Sequence, residues 1–222
     1  MGVECMIYEL NPSQFKSISH LLSGDRINLE IKAVVEGYNP GWVFVDNVME
    51  PRTAMVWSKG IEGFYFLGDE NSQDFNSSLK TYIKYIVAPR ARKLNLTSFE
   101  FSGTSERWEE RLEHIFKDQN LKITKQFVYK RPRDLDVSTH RARLESVYEL
   151  RKIDKDLLNS DSVETSLVTE NISTWWGNMT QFSKHGTGYC VVHEGEAVCS
   201  CMTSFSDGQE VESHIVTKDA YR

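Results

Sequence analysis

Cysteine is scarce in this chain, and the other signals that would take it out of the ordinary globular class are scarce too. Four cysteines in 222 residues, at positions 5, 190, 199 and 201, are too few for the disulfide framework of a secreted protein of this size. Proline numbers five and glycine 13, with no tract rich in either, which excludes a fibrous or disordered chain. No stretch approaches the ~20 apolar residues that a membrane span needs. Met1-Gly2-Val3-Glu4-Cys5-Met6 lacks the basic region and apolar run of a secretory signal. Positive charge is also short: 26 Lys and Arg against 32 Asp and Glu give a net charge of −6, so nothing draws the chain generally to nucleic acid or anionic membrane. The expectation is a cytoplasmic protein with neither a nucleic-acid nor a membrane partner. The sequons at Asn76, Asn95, Asn171 and Asn178 are then incidental, because glycosylation needs a secretory context.

What is present is a core. With 40% hydrophobic and 11% aromatic residues, the chain can fill one large or two small domains. Ile7-Tyr8-Glu9-Leu10 reads as a short strand, and Asn11-Pro12 supplies a cap and first-turn proline for a helix through Phe15, Ile18, Leu21 and Leu22. A second helix after Asp25 carries Ile27, Ile31, Val34 and Val35 on one side and ends in the turn cluster Asn39-Pro40-Gly41. Trp42–Val45, Ala54–Trp57 and Gly63–Leu67 read as strands. Phe75, Leu79, Tyr82, Ile83, Ile86 and Arg90 follow helical spacing, Thr97–Phe101 reads as a strand, Trp108, Leu112, Ile115 and Phe116 form another helix face, and a last strand is expected over 121–129.

Lys130-Arg131-Pro132-Arg133-Asp134 is charged and free of apolar residues, which suits a solvated linker. The pattern then restarts. Val147-Tyr148-Glu149-Leu150 echoes the first tetrapeptide, a helical region runs through Leu157, Leu167, Ile172, Trp175, Trp176 and Phe182, and Tyr189–Val192 and Ala197–Cys201 pair across Glu194-Gly195. A strand over 211–217 closes the series. The fold class expected is α/β (α+β), two copies of one mixed-sheet arrangement in tandem with the second incomplete: residues 1–130, a linker at 131–136, and residues 137–222. Two unrelated α+β runs are the alternative.

The hairpin followed by Ile215-Val216-Thr217-Lys218-Asp219-Ala220-Tyr221-Arg222, behind a pair of helices, resembles the GNAT superfamily of acetyl-CoA-dependent N-acyltransferases. It resembles in particular the bacterial two-domain group that includes zwittermicin-resistance acetyltransferases. The likeness is close over 189–222 and looser over the rest of the second half. That family's cofactor motif begins with Arg or Gln and continues x-x-Gly-x-Gly/Ala, so the resemblance places Arg222 at its first position. If the repeat is real, comparison with the first copy and ordinary element lengths imply that roughly 50 further residues would complete the second.

The resemblance implies acetyl-CoA as co-substrate, bound by backbone groups of Ile215, Val216 and Thr217 and by a glycine loop whose N–H groups meet the pyrophosphate. It implies direct transfer to an amine of a small molecule, with no metal, and it allows a homodimer. If the protein truly ended at residue 222, a cofactor-incompetent binding or scaffold module would be the alternative. In the first copy Gly68-Asp69-Glu70-Asn71-Ser72 would stand at the pyrophosphate position, and Asp69 and Glu70 would repel it.

An amine must be neutral to attack, so a carboxylate near the start of the strand is expected to take its proton. Glu212 fits that role, with Glu210 and His214 as alternatives on the same face by period-2 alternation. Trp175 and Trp176 are expected near the acceptor, although adjacent tryptophans cannot share one helix face, so one of them goes to the core. Cys190, His193, Cys199 and Cys201 have the composition of a zinc set. A turn at Glu194-Gly195, however, places Cys190 opposite Cys199 and spreads the four along ~10 Å of strand, which does not suit a tetrahedral site. Asp154 and Asp156 read as helix-start carboxylates.

Overall fold

The computed structural model describes residues 6–24, 26–129 and 143–222. In the N-terminal half, β1 (Tyr8–Glu9), a 3-10 helix (Pro12–Leu21) and α1 (Leu29–Val35) precede three strands, β2 (Gly41–Val45), β3 (Thr53–Ser58) and β4 (Gly63–Gly68). There follow α2 (Gln73–Tyr82), a π turn (Ile83–Val87), α3 (Ala88–Lys93), β5 (Glu100–Gly103) and α4 (Glu106–Phe116). The five strands form one sheet in chain order, antiparallel through β4, with β5 parallel to β4.

Its strands are continuous apolar runs because both faces are covered. Phe44, Met55, Trp57, Phe64 and Phe66 point into a core with Phe75, Leu79, Trp108 and Leu112 of α2 and α4. The alternate residues Val43, Val45, Ala54, Val56, Tyr65 and Leu67 pack on Phe15, Ile18, Ile31 and Val34. The π turn has a local cause. Pro89 has no N–H to give to the carbonyl four residues back, and the ladder widens just before it, with Ala88 N–H bonded to Ile83 O.

The C-terminal half holds β6 (Tyr148–Lys152), α5 (Lys155–Leu158), α6 (Ser166–Trp176), α7 (Met179–His185), β7 (Gly188–His193), β8 (Glu196–Ser206), β9 (Val211–Thr217) and a 3-10 turn (Asp219–Tyr221). The four strands form a second sheet in chain order, antiparallel throughout, so only the first of the two sheets is mixed. Gly177, at φ 75°, separates α6 from α7, and Asn178 caps α7 by accepting Gln181 N–H at 3.0 Å. One face of this sheet meets the helices through Ile153, Leu157, Val168, Ile172, Trp176, Phe182, Cys190 and Met202. On the other, Leu150, Tyr189 and Ile215 are exposed.

Three sequence expectations need correction. Residues 121–129 form no strand: Leu121 packs on the first core, 122–129 are exposed, and among the described residues no strand pairs with them. The helix after Asn11 is 3-10 rather than α. Glu194 and Gly195, at φ 50° and 78°, do make the tight turn, but a bulge between Val191 and Val192 shifts the register beyond it, so Cys190 faces Ser200 and Val191 faces Cys199. The linker placed at 131–136 lies outside the described residues. Among the described residues no helix is long and apolar enough to cross a membrane.

The halves meet along α1 and the segment 38–40 on one side and α6, α7 and β8 on the other. The Asn39 amide nitrogen donates to Trp175 O at 2.8 Å and to Ser204 O at 2.7 Å. Lys59 Nζ donates to Ser173 O at 2.9 Å, Lys32 pairs with Asp207 at 3.7 Å, and the Tyr38 and His185 rings stack at 3.8 Å.

Candidate active site

The site is built on β9. Pairing with β8 runs from Cys199 opposite Thr217 to Thr203 opposite Ser213, then slips so that Phe205 faces Glu212. Ser204 is the extra residue of this bulge, and its hydroxyl donates to Glu212 O at 3.2 Å. A bulge bends and twists the strand that carries it. Here it sits where the expected proton acceptor emerges from the sheet.

Glu212 and His214 lie on the same face by alternation. The His214 ring is 4.9 Å from Trp175, which in turn meets Phe205 edge-on at 5.5 Å. Burial lowers the His214 pKa. The Glu212 carboxyl reaches solvent, yet enough protein surrounds it that desolvation raises its pKa, helped by the negative charge of Glu30. A carboxylate of raised proton affinity is what proton abstraction near neutral pH calls for. Glu210 donates its N–H to Asp207 Oδ1 at 2.8 Å, which places its backbone in the β8–β9 turn.

The tryptophan pair divides. Trp176 is 1% exposed and its indole N–H is bonded to Thr203 O at 2.8 Å, so it is a packing residue and lines no pocket. Trp175 is half-buried and lies against the face of β9 that carries His214. Gly60 of the N-terminal half makes room for it: a Cβ there would overlap the Trp175 ring.

Ile215, Val216 and Thr217 lie on the outermost strand of their sheet. Among the described residues no strand pairs with the far edge of β9, which leaves that edge open to an extended, peptide-like ligand. The Thr217 hydroxyl donates to Cys199 Sγ at 3.2 Å. Arg222 turns back on its own strand, with Nε 3.3 Å from Thr217 O and Nη1 3.0 Å from Asp219.

The cysteines and His193 do not converge. Cys190 faces the helix-covered core, whereas Cys199 and Cys201 lie on the other face of β8, and His193 packs against Tyr148 and Tyr221. Among the described residues no group of three or more His, Cys, Asp or Glu is placed to hold a metal ion. Asp154 caps α5 by accepting Leu157 N–H at 3.0 Å.

At the corresponding place in the first sheet the structure is closed. Beyond Phe66, the backbone N–H and the hydroxyl of Thr104 each donate to Phe66 O at 3.0 Å, and Trp108 fills the gap between β4 and α4 with its indole N–H 3.0 Å from Gly68 O. The loop after β4 is knotted by its own polar groups. Asp69 accepts Asn71 N–H at 2.9 Å, and Glu70 pairs with Arg107 at 3.5 Å.

Sequence reasoning missed what the N-terminal half brings to the site. Glu30, 6% exposed, accepts the Tyr65 hydroxyl at 3.0 Å and is the charged neighbour felt by Glu212. A signal was available: Glu30 falls four residues before Val34 on the same helix, on its apolar stripe, where a carboxylate has no packing reason to be.

The profile of the family described as GNAT acetyltransferase matches residues 19–222. Among curated sequences, an uncharacterized N-acetyltransferase, YdfB, of Bacillus subtilis (strain 168) is 22% identical over 218 residues, covering 98% of this chain and 78% of that protein. Among solved structures, a GCN5-related N-acetyltransferase-like protein from Streptococcus suis 89/1591 superposes with a TM-score of 0.61 at 15% identity, over 95% of this chain and 78% of that one; it supports the fold. The family match covers every strand but β1, the candidate site on β9 included, and the chain therefore belongs to the GNAT acetyltransferase family, as an N-acetyltransferase.

Proposed function

We propose that the protein transfers the acetyl group of acetyl-CoA directly to an amine of a small molecule, with Glu212 as the proton acceptor. Residues 137–222 carry the reaction and residues 1–130 form a degenerate copy of the same fold. The observation that carries this reading is the partly desolvated Glu212 carboxylate, set by a bulge beside Trp175 on an edge strand.

Acetyl-CoA, when bound, supplies an activated acyl thioester. The unpaired edge of β9 fits its peptide-like arm, with backbone groups of Ile215, Val216 and Thr217 as the donors and acceptors. Arg222, beyond the 3-10 turn that follows that strand, is assigned to the start of the family's cofactor loop by the resemblance alone. Glu212 removes a proton from the acceptor ammonium, directly or through a water, so that the nitrogen lone pair becomes available. Trp175 offers an apolar wall, and the carboxylate gives a cationic acceptor a reason to bind. His214 and Glu210 are the alternative proton acceptors.

The test is thiol release from acetyl-CoA by the purified full chain against a panel of mono- and polyamines. Glu212→Gln is expected to lower the rate by roughly 10²- to 10⁴-fold below the pH at which the amine deprotonates itself. A base works only when deprotonated. The wild-type rate should therefore rise with pH through the raised pKa of Glu212, and this limb should vanish in the variant. An unchanged pH–rate profile removes Glu212 from the role.

A further inference from the structure

We propose that the active site is completed across the interface between the halves, with Glu30 of α1 as a positioning residue for the Glu212 carboxylate and Asn39 fixing the bulge that aims it. The inference rests on the reading of Glu212 as the base.

Three observations converge. First, Glu30 is 6% exposed, with its Oε1 accepting the Tyr65 hydroxyl at 3.0 Å, and among the described residues no Lys or Arg is ion-paired with it. The nearest cation along its helix, Lys32, is turned to Asp207. A carboxylate kept in such a place without a counter-charge needs an explanation beyond packing, since burial of an unpaired charge is unfavourable.

Second, Asn39 is 3% exposed and uses both of its amide hydrogens across the interface. One goes to Trp175 O, on the helix that carries the aromatic wall. The other goes to Ser204 O, in the bulge whose own hydroxyl donates to Glu212 O. Two hydrogen bonds that meet at Ser204, one accepted by its carbonyl and one donated by its hydroxyl, therefore link Asn39 of the first half to the backbone of the proposed base.

Third, the charge of Glu30 reaches Glu212 and makes it harder to ionise, and Tyr65 lies within the influence of both. The groups coupled to Glu212 from other elements are Glu30 on α1 and Tyr65 on β4; His214 lies two residues along its own strand, Glu210 in the β8–β9 turn before it, and Lys32 on α1 is paired with Asp207 of that turn. Lys32 and Asp207 neutralise one another, leaving Glu30 as the uncompensated charge from outside β9.

The readout needs no acceptor. In the full-length protein, the side-chain carboxyl carbon of Glu212 is followed by NMR through a pH titration, assigned by its disappearance in Glu212→Gln. Glu30→Gln keeps the shape and an oxygen to accept the Tyr65 hydroxyl while removing the charge, so the fold should hold. The Glu212 midpoint is expected to fall by roughly half a pH unit. If Glu30→Gln does not fold, Glu30→Asp withdraws the charge by one methylene and should give a smaller fall. Asn39→Ala, which releases the bulge, should also move the midpoint.

An unmoved midpoint in the folded Glu30 variants overturns the proposal. The acid limb of the pH–rate profile should follow the same shift. If Glu212→Gln abolishes that limb while Glu30→Gln leaves it in place, Glu212 stands as the base and the cross-interface role of Glu30 falls. If Glu212→Gln leaves the limb intact, the underlying reading fails whatever the titration shows.

Discussion

β4 and β9 occupy the same position in their sheets, each the last of four consecutive antiparallel strands preceded by helices, and they have opposite surroundings. β4 is sealed: β5 lies along its outer edge, helices cover both faces, and Trp108 closes the gap past Phe66. β9 has its outer edge unpaired among the described residues, one face carrying Glu212 and His214 toward Trp175, and an exposed Ile215 on the other. One strand order is thus packed interior in one half and an open edge, the proposed reaction site, in the other. What decides between them is whether edge and face are filled by side chains of the chain itself.

The largest test of the comparison is to unseal β4. Trp108 is fully buried against Phe66 and its indole N–H satisfies Gly68 O. Trp108→Ala should lower unfolding stability by about 3–5 kcal/mol through the cavity and the lost bond, read by urea denaturation. It should confer no acetyl-CoA binding on that half, because the Asp69 and Glu70 carboxylates remain in the loop beyond. A calorimetric titration of this variant alongside wild type that reveals an additional acetyl-CoA site would break the contrast between the halves.

A middle-sized effect is expected where the sealed half shapes the open one. A Cβ at Gly60 would strike the Trp175 ring and come within 3.0 Å of Phe205. Gly60→Ala should cost about 1–3 kcal/mol as overpacking. Because the ring that must move is the wall next to His214, KM for the acceptor should rise more than kcat falls. Equal losses in both parameters would mean that Trp175 only supports the fold.

The parts of this arrangement legible in the sequence are those governed by local rules. The apolar runs Trp42–Val45, Ala54–Trp57 and Gly63–Leu67 reported strands, and Glu194-Gly195 reported a tight turn. The rest was set by partners distant in the chain. Residues 121–129 alternate like a strand, but alternation without a neighbour to bond is not a strand. The bulge at Val191/Val192 moved Cys190 away from Cys199, and no composition signal marks an extra residue in a run of small apolar side chains. Within the tryptophan pair, spacing required that the two part company; only the packed sheet shows that Trp176 goes inward. Glu30 and Asn39 were legible as a helix residue and a turn residue, and their approach to Glu212 and Ser204 depends on how the two halves meet.

The smallest effect is expected at the exposed face of β9. Ile215 is 66% exposed, whereas the apolar side chains along β4 are at most 5% exposed. Ile215→Ala should therefore change unfolding stability by no more than about 0.5 kcal/mol. The proposed contact with acetyl-CoA runs through the backbone of this strand, and removing a side chain leaves that backbone in place. The KM for acetyl-CoA should accordingly stay within about threefold of wild type, under ~0.7 kcal/mol in binding terms. A stability loss of several kcal/mol, as for a core Ile→Ala, would show that the outer face of β9 is covered in the working enzyme as both faces of β4 are. Unchanged stability with a large rise in KM would instead move Ile215 from a backbone contact to a side-chain contact with the cofactor.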